Sequence, residues 1–194
     1  MKIKKLIAWA VLAGAPLISP IVQAQTDLRL YGLSLNTATV TEFIAAANSA
    51  GVEGPTSEPG EATTLNFDAS RAGVPALARF QLLRQGEAIV SVQFEVGNAV
   101  SANESLRKML VAKYGMPVIA GAFAARGGFD DKYFGGRAHW SFAGGMRLVY
   151  NRPHIGVTHL TYVHEPRFQA LMDAAKAQAD EAARRKAKSL GDKF

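Results

Sequence analysis

The sequence predicts an α+β fold in which an antiparallel sheet carries helices on one face. Three observations lead to this prediction. Several strand-like segments are apolar on one side only, which favours an antiparallel sheet over a parallel one. Two helical segments with capping-box sequences each precede a group of such strands. A long Ala-rich segment without interior proline or glycine then follows. We therefore expect two tandem helix-then-antiparallel-meander units and a C-terminal Ala-rich helix.

The first 24 residues have the features of a secretory signal peptide. A lysine-rich start precedes an unbroken apolar run over residues 6–15, and the pattern Val22-Gln23-Ala24 fits cleavage after Ala24. An uncleaved anchor is the alternative, but this run is well short of the roughly 20 residues that a spanning helix needs. We expect cleavage, no stable membrane insertion of the remaining chain, and a periplasmic location, with extracellular release as a further destination.

The first predicted unit covers residues 25–98. Thr39 and Glu42 have the spacing of a capping box ahead of an apolar helical pattern, and Gly51 is a suitable helix end. Strands are predicted over residues 64–67, 78–84 and 88–96, with an additional strand within residues 29–35. The third of these is the clearest, because apolar and polar residues alternate along its whole length.

The second predicted unit covers residues 99–164. Ser101 and Glu104 repeat the capping box, and Gly115 with Pro117 ends the helix. Strands are predicted over residues 138–142, 146–152 and 156–164. Because a capping box precedes both helices, we favour a repeat over the alternative, a single irregular α+β domain.

Residues 165–194 form the C-terminal helix and tail. The segment after Pro166 is rich in alanine and charged residues, which predicts a helix by propensity. Phe168, Leu171 and Met172 give its start an apolar anchor, so we expect the start to dock on the sheet and the end to project into solvent. The basic residues near its end either contact anionic lipid or balance the helix dipole. They are Arg184, Arg185, Lys186 and Lys188.

Composition argues against several functional classes. The formal net charge is +6, but three of the lysines lie in the signal segment, so the body lacks the dense basic face of a nucleic-acid-binding protein. The chain has no cysteine, which excludes disulfides, thiol nucleophiles and thiolate metal sites. We therefore expect a domain held together by its hydrophobic core.

The four histidines do not predict a metal site. His154, His159 and His164 recur at five-residue spacing, with His139 upstream. In a strand this spacing places neighbours on opposite faces, so these imidazoles do not converge. We expect no metal and no cofactor.

Residues 121–137 are the strongest candidate for a functional segment. They combine glycines, aromatic residues and charges over a length that is unusual for a structureless loop. Aromatic residues and arginines are typical of binding surfaces. The candidate binding residues are Arg126, Phe129, Asp130, Asp131, Tyr133, Phe134 and Arg137. The alternative is a covering loop whose aromatic side chains fold back over the sheet.

These observations favour a non-enzymatic binding or adaptor module whose partner is a protein or another envelope or cell-surface component. The alternative is an envelope hydrolase acting on a glycan or cell-wall substrate, with Asp130 or Asp131 as general base. The sequence predicts no particular oligomeric state.

Three short motifs carry a resemblance to known proteins. They are Lys113-Tyr114-Gly115-Met116-Pro117, His139-Trp140-Ser141-Phe142 and Leu160-Thr161-Tyr162-Val163. Through them the chain resembles small proteobacterial envelope proteins. Its helix-then-meander order is similar to that of beta-lactamase-inhibitor-protein-like and outer-membrane-assembly-lipoprotein small-domain folds. The resemblance spans residues 31–167 and implies a binding or assembly role. The chain lacks the lipidated cysteine of the assembly lipoproteins, and no functional residue is transferred from them.

Overall fold

The computed structural model describes residues 27–55, 64–71, 77–97, 99–120, 128–129, 131, 134–153 and 157–191. The helices are α1 (Val40–Ser49), α2 (Val100–Tyr114) and α3 (Glu165–Gly191). The strands are β1 (Arg29–Leu30), β2 (Leu33–Ser34), β3 (Thr64–Asp68), β4 (Leu77–Gln85), β5 (Ala88–Val96), β6 (Val118–Ala120), β7 (Gly136–Ser141), β8 (Met146–Arg152) and β9 (Thr158–His164). The predicted signal peptide lies outside the described residues.

Seven of these strands form one antiparallel sheet in the order β3-β4-β5-β9-β8-β7-β6. Strands β1 and β2 form a separate hairpin. The predicted α+β class and antiparallel sheet are therefore confirmed. The pairing of β5 with β9 joins the two halves of the chain in the middle of the sheet. The equivalence of the two halves as a repeat stays a prediction.

One face of the sheet carries the hydrophobic core. Phe43 of α1 packs edge-to-face on Phe80 of β4, with ring centroids 6.0 Å apart. On the other half, Tyr114 of α2 lies 6.3 Å from Trp140 of β7. All four side chains belong to a single buried cluster. Helices α1 and α2 therefore cover the same face, as the sequence predicts.

The capping box predicted for α1 is confirmed. The Glu42 backbone N–H donates to Thr39 Oγ1 at 3.2 Å, and the Thr39 N–H donates to the Glu42 carboxylate at 2.8 Å. The Thr39 N–H and the Thr39 hydroxyl both donate to the exposed Glu42 carboxylate, and these two hydrogen bonds lower its pKa. Two amide donors at the helix start are satisfied reciprocally.

The capping box predicted for α2 is wrong. The helix begins at Val100, with Ala99 as an N-cap that makes no side-chain hydrogen bond, so Ser101 lies inside the helix. The reason is the buried Asn103, whose Nδ2 donates to the carbonyls of Gly97 at 2.7 Å and Ala99 at 3.0 Å. This amide holds the segment before the helix, whereas Glu104 pairs with Lys108 on the surface.

The strand predictions agree with the structure to within two residues at each end, and β5 and β8 have the predicted bounds. Two details differ. The short edge strand β6 was not predicted, because three residues directly after Pro117 give too little pattern. Residues 29–35 form the β1–β2 hairpin rather than one strand, since Tyr31 and Gly32 adopt positive φ values of 51° and 81°.

Helix α3 leaves the end of β9 and docks only by its first turns. Phe168 and Met172 remain 39% and 50% exposed, and the side chains described after Met172 are exposed as well. Its start is held by Arg167, whose guanidinium donates to two backbone carbonyls. Among the helices in the described part of the chain, α3 included, none is long and apolar enough to cross a membrane.

Candidate functional site

The face of the sheet opposite α1 and α2, here called the open face, carries polar side chains in register. Three rows of residues cross β5, β9, β8 and β7 in that order. The outer row is Glu95, His159, Asn151 and Arg137; the middle row is Gln93, Thr161, Val149 and His139; the inner row is Ser91, Val163, Arg147 and Ser141. Paired residues of an antiparallel sheet point to the same face, so these side chains share one surface.

A groove of about 760 Å³ lies between this surface and the start of α3. Its floor contains hydrogen-bonding groups from adjacent strands, among them Gln93, Asn151 and Thr161. Its wall is formed by Pro166 and Phe168 of α3. The volume falls within the range of roughly 300–1,000 Å³ that is typical of small-molecule sites. We therefore take this groove as the candidate functional site.

Three contacts fix the wall of the groove. Glu165 pairs with Arg147 of β8 at 2.6 Å. Arg167 Nη1 donates to the Ile89 carbonyl and Nη2 to the Asn36 carbonyl, both at 2.9 Å. At Gly145, where φ is +74°, an added Cβ would lie 2.7 Å from the Pro166 ring, so only glycine allows this approach. The first turn of α3 is thus seated on the sheet.

Within the floor, His159 is oriented by Gln93, whose Nε2 lies 3.2 Å from His159 Nδ1. The donor and acceptor roles in this contact depend on the tautomer of the imidazole. Next to the groove, burial lowers the pKa of His139, and the positive charges of Arg147 and Arg137 lower it further. The imidazole of His139 therefore stays neutral at pH 7.

Of the two arginines at the groove, Arg147 has an ion-pair partner and Arg137 has none among the described residues. The charge of Arg147 is balanced by Glu165 in the ion pair described above. Arg137 is exposed and lines the groove, and it forms no hydrogen bond or ion pair with any described residue. Within the described residues, no group of three or more His, Asp or Glu side chains is placed to hold a metal ion. The groove can therefore offer hydrogen bonds, apolar contact and one unpaired cation.

The structure separates the predicted site residues. Phe129 and Phe134 are completely buried against Tyr150 of the core, which matches the alternative of a covering loop. The Asp131 carbonyl accepts a hydrogen bond from buried Arg107 of α2 at 2.5 Å, so this residue lies on the helix side of the sheet. Arg137 alone of the described candidates lines the groove. The predictions for Arg126, Asp130 and Tyr133 lie outside the described residues.

Sequence reasoning missed the polar floor of the groove. Ser91 and Gln93 were recognised only as the wet side of a strand, and His159 only as a poor metal ligand. The alternation of apolar and polar residues along β5 and β9 could have indicated this surface, because it assigns the polar side chains to the face away from the core. Their convergence depends on the β5–β9 pairing, which a local pattern does not contain.

Comparisons of the chain with protein-family models, with curated proteins and with solved structures find no match. The resemblance to beta-lactamase-inhibitor-protein-like and assembly-lipoprotein small-domain folds stays a prediction.

Proposed function

We propose that this protein is an exported, periplasmic, non-enzymatic binding module that holds an envelope component or a segment of an envelope protein in the groove of the open face. The observation that carries the proposal is the groove itself, where α3 converts a flat sheet surface into a concave one. Export is proposed from the signal-like first 24 residues.

The chemistry of the lining supports binding. Neutral hydrogen-bonding groups such as Gln93, Asn151 and Thr161 lie beside apolar Val149 and Phe168. A mixture of apolar surface and a few fixed polar groups is the usual composition of a ligand site. Because α3 is fixed to the sheet by ion pair and hydrogen bonds, little ordering of the protein is needed when a ligand enters.

The hydrolase alternative receives no support from the carboxylates that line the groove or from Asp131. Asp131 lies on the helix side of the sheet, beside Arg107. Glu165 lines the groove but is paired with Arg147. Two carboxylates that share a substrate are the minimum for the glycan chemistry considered. Among the described residues, the groove therefore does not supply such a pair.

The proposal is tested by filling the groove. Thr161 lies in the middle row, so Thr161→Trp places an indole in the cavity. Gln81→Trp is the matched control, because Gln81 belongs to the same register row but lies on β4, outside the groove. Each protein is incubated with an envelope extract of the native host, repurified and analysed by native mass spectrometry, after its fold is checked by circular dichroism.

We expect the wild type and Gln81→Trp to retain the same added mass or partner, and Thr161→Trp to lose it. Retention of the same species by a folded Thr161→Trp variant would exclude the groove as the binding site. The absence of any bound species from all three proteins, across several extracts, would contradict a binding role.

A further inference from the structure

Arg137 places a positive charge at one end of the groove. It lies in the outer row next to Asn151, its partner on β8, and close to His159 on β9. Its side chain is exposed, lines the groove and has no ion-pair or hydrogen-bond partner among the described residues. An arginine beside an amide presents several donors to one anionic group.

The opposite end of the groove contributes apolar side chains beside polar ones. Val163 lies in the inner row, and Phe168 and Pro166 stand above it on α3. The inner and outer rows are four residues apart along β8, from Arg147 to Asn151. This separation corresponds to a distance of about 13 Å at the rise of a strand. The groove therefore has the charge of Arg137 at one end. At the other end the apolar side chains lie beside the Arg147–Glu165 ion pair, whose charges balance.

The other charges of the open face do not cancel Arg137. Glu165 is paired with Arg147. Glu95 lies three strands from Arg137, about 14 Å at the spacing of neighbouring strands, and Arg79 is its direct cross-strand neighbour. At physiological salt that distance exceeds the Debye length of about 8 Å. Among the charges of the described residues, that of Arg137 thus remains uncompensated in the groove.

We infer that the groove binds a small amphipathic carboxylate, with its carboxylate on Arg137 and its apolar body against Val163 and Phe168. A singly charged anion fits because one arginine is unpaired, and the fork of donors on a guanidinium matches the two oxygens of a carboxylate. This inference rests on the proposed function of the groove and names the chemical class of its ligand.

Octanoate is the test ligand, and it is compared with octanol, acetate and octyl phosphate. Octanol keeps the apolar body without the charge, acetate keeps the charge without the body, and octyl phosphate carries more charge on the same body. Affinities are measured by isothermal titration calorimetry on the purified chain that begins at Gln25, after the predicted cleavage site. The binding position is followed by backbone amide chemical shifts.

The variants are Arg137→Gln and Arg137→Lys, with Arg79→Gln as the matched control. Arg79 is an exposed arginine of the same register row but lies on β4, outside the groove. Since Arg137 has no described partner, its replacement should leave the melting temperature unchanged, which is checked first. Thr161→Trp serves as the variant with a filled groove.

We expect octanoate to bind at least about tenfold more tightly than octanol or acetate, with shifts in residues of β5, β8 and β9. Arg137→Gln should weaken octanoate about tenfold or more, the typical effect of losing a charged hydrogen bond. Arg137→Lys should weaken it less, and Arg79→Gln should not change it. Thr161→Trp should abolish it.

Equal affinity for octanoate and octanol, unchanged octanoate binding by Arg137→Gln, or no octanoate binding would overturn the inference. Tighter binding of octyl phosphate would overturn the choice of a carboxylate. In each of these cases, loss of an envelope component from Thr161→Trp in the extract experiment would still support the groove as a binding site. The two experiments therefore distinguish a wrong ligand class from a groove that is not a binding site.

Discussion

Arg167 is the residue that links α3 to two distant parts of the chain. Its guanidinium donates to the carbonyls of Ile89 on β5 and Asn36 before α1, both at 2.9 Å. Its own backbone N–H donates to His164 Nδ1 at 3.3 Å. Because the guanidinium is half-buried, removal of its donors leaves two carbonyls without these partners. This one side chain thus positions the wall of the groove.

We predict that Arg167→Met lowers the free energy of unfolding by about 3 kcal/mol or more, because it removes two hydrogen bonds from a charged donor and each contributes roughly 1.5–3 kcal/mol. Methionine keeps part of the apolar stem, so the loss comes mainly from the donors. The measurement is urea denaturation followed by circular dichroism. Arg184→Met, at the exposed end of α3, is the control and should leave stability unchanged. An equal loss in both variants would contradict the role given to Arg167.

The starts of α1 and α2 differ at the level of the element, although their sequences look alike. In α1 the side chain of Thr39 caps the helix and Glu42 completes the box. In α2 the buried amide of Asn103 holds the preceding segment, and it also accepts a hydrogen bond from Tyr150 at 2.9 Å. A contact with the core therefore determines where α2 begins.

We expect Thr39→Ala to lower the free energy of unfolding by about 1 kcal/mol, the usual effect of losing an N-cap. Ser101→Ala is the matched substitution in α2. It should leave stability unchanged or raise it slightly, since Ser101 lies inside the helix and alanine has the higher helix propensity. Equal losses from both substitutions in thermal or urea unfolding would show that Ser101 does act as a cap.

The fold could be predicted from the sequence to the extent that its signals are local. The alternation in β5, the Thr39 box and the glycine at the end of α2 depend on a few adjacent residues, and all three agree with the structure. The burial of Asn103 and Phe129 depends on residues far away in the chain. A local pattern could indicate neither. The capping box at α2 was therefore predicted wrongly, and the choice between a binding loop and a covering loop stayed open.

The candidate site was less predictable for the same reason. Thr161 and Gln93 belong to strands that are predicted separately, and only the β5–β9 register makes them neighbours. The groove also needs α3 to fold back over the sheet, which depends on Arg167 and Gly145 rather than on an apolar stripe. Of the predicted site residues, Arg137 lines this groove.

Two histidines make the stability of the whole molecule dependent on pH. Burial lowers the pKa of His139 below its ordinary 6.5, with the charges of Arg147 and Arg137 acting in the same direction. Burial also lowers the pKa of His164, assisted by the charge of Arg167. Between the lowered pKa values and 6.5, the unfolded chain binds more protons than the folded one. Stability therefore rises with pH across this window.

We predict that the free energy of unfolding is highest above about pH 7 and falls as the pH decreases below 6.5. Urea denaturation at a series of pH values measures this slope. The His139→Gln/His164→Gln variant should show a shallower slope, whatever its absolute stability. The lowered pKa values of the Glu42 and Asp68 carboxyls place their loss of charge at lower pH. An unchanged slope in the variant would contradict the assignment.

The central position of β9 also affects the order in which the molecule can fold. Strand β9 comes last of the strands in the chain but lies between β5 and β8 in the sheet. A nascent chain that ends at residue 152 can build β3-β4-β5 and β6-β7-β8 as separate meanders with no strand between them. Such distant pairings slow folding. Closure of the sheet must therefore wait for residues 158–164, and truncated chains will expose two unpaired strand edges that favour aggregation.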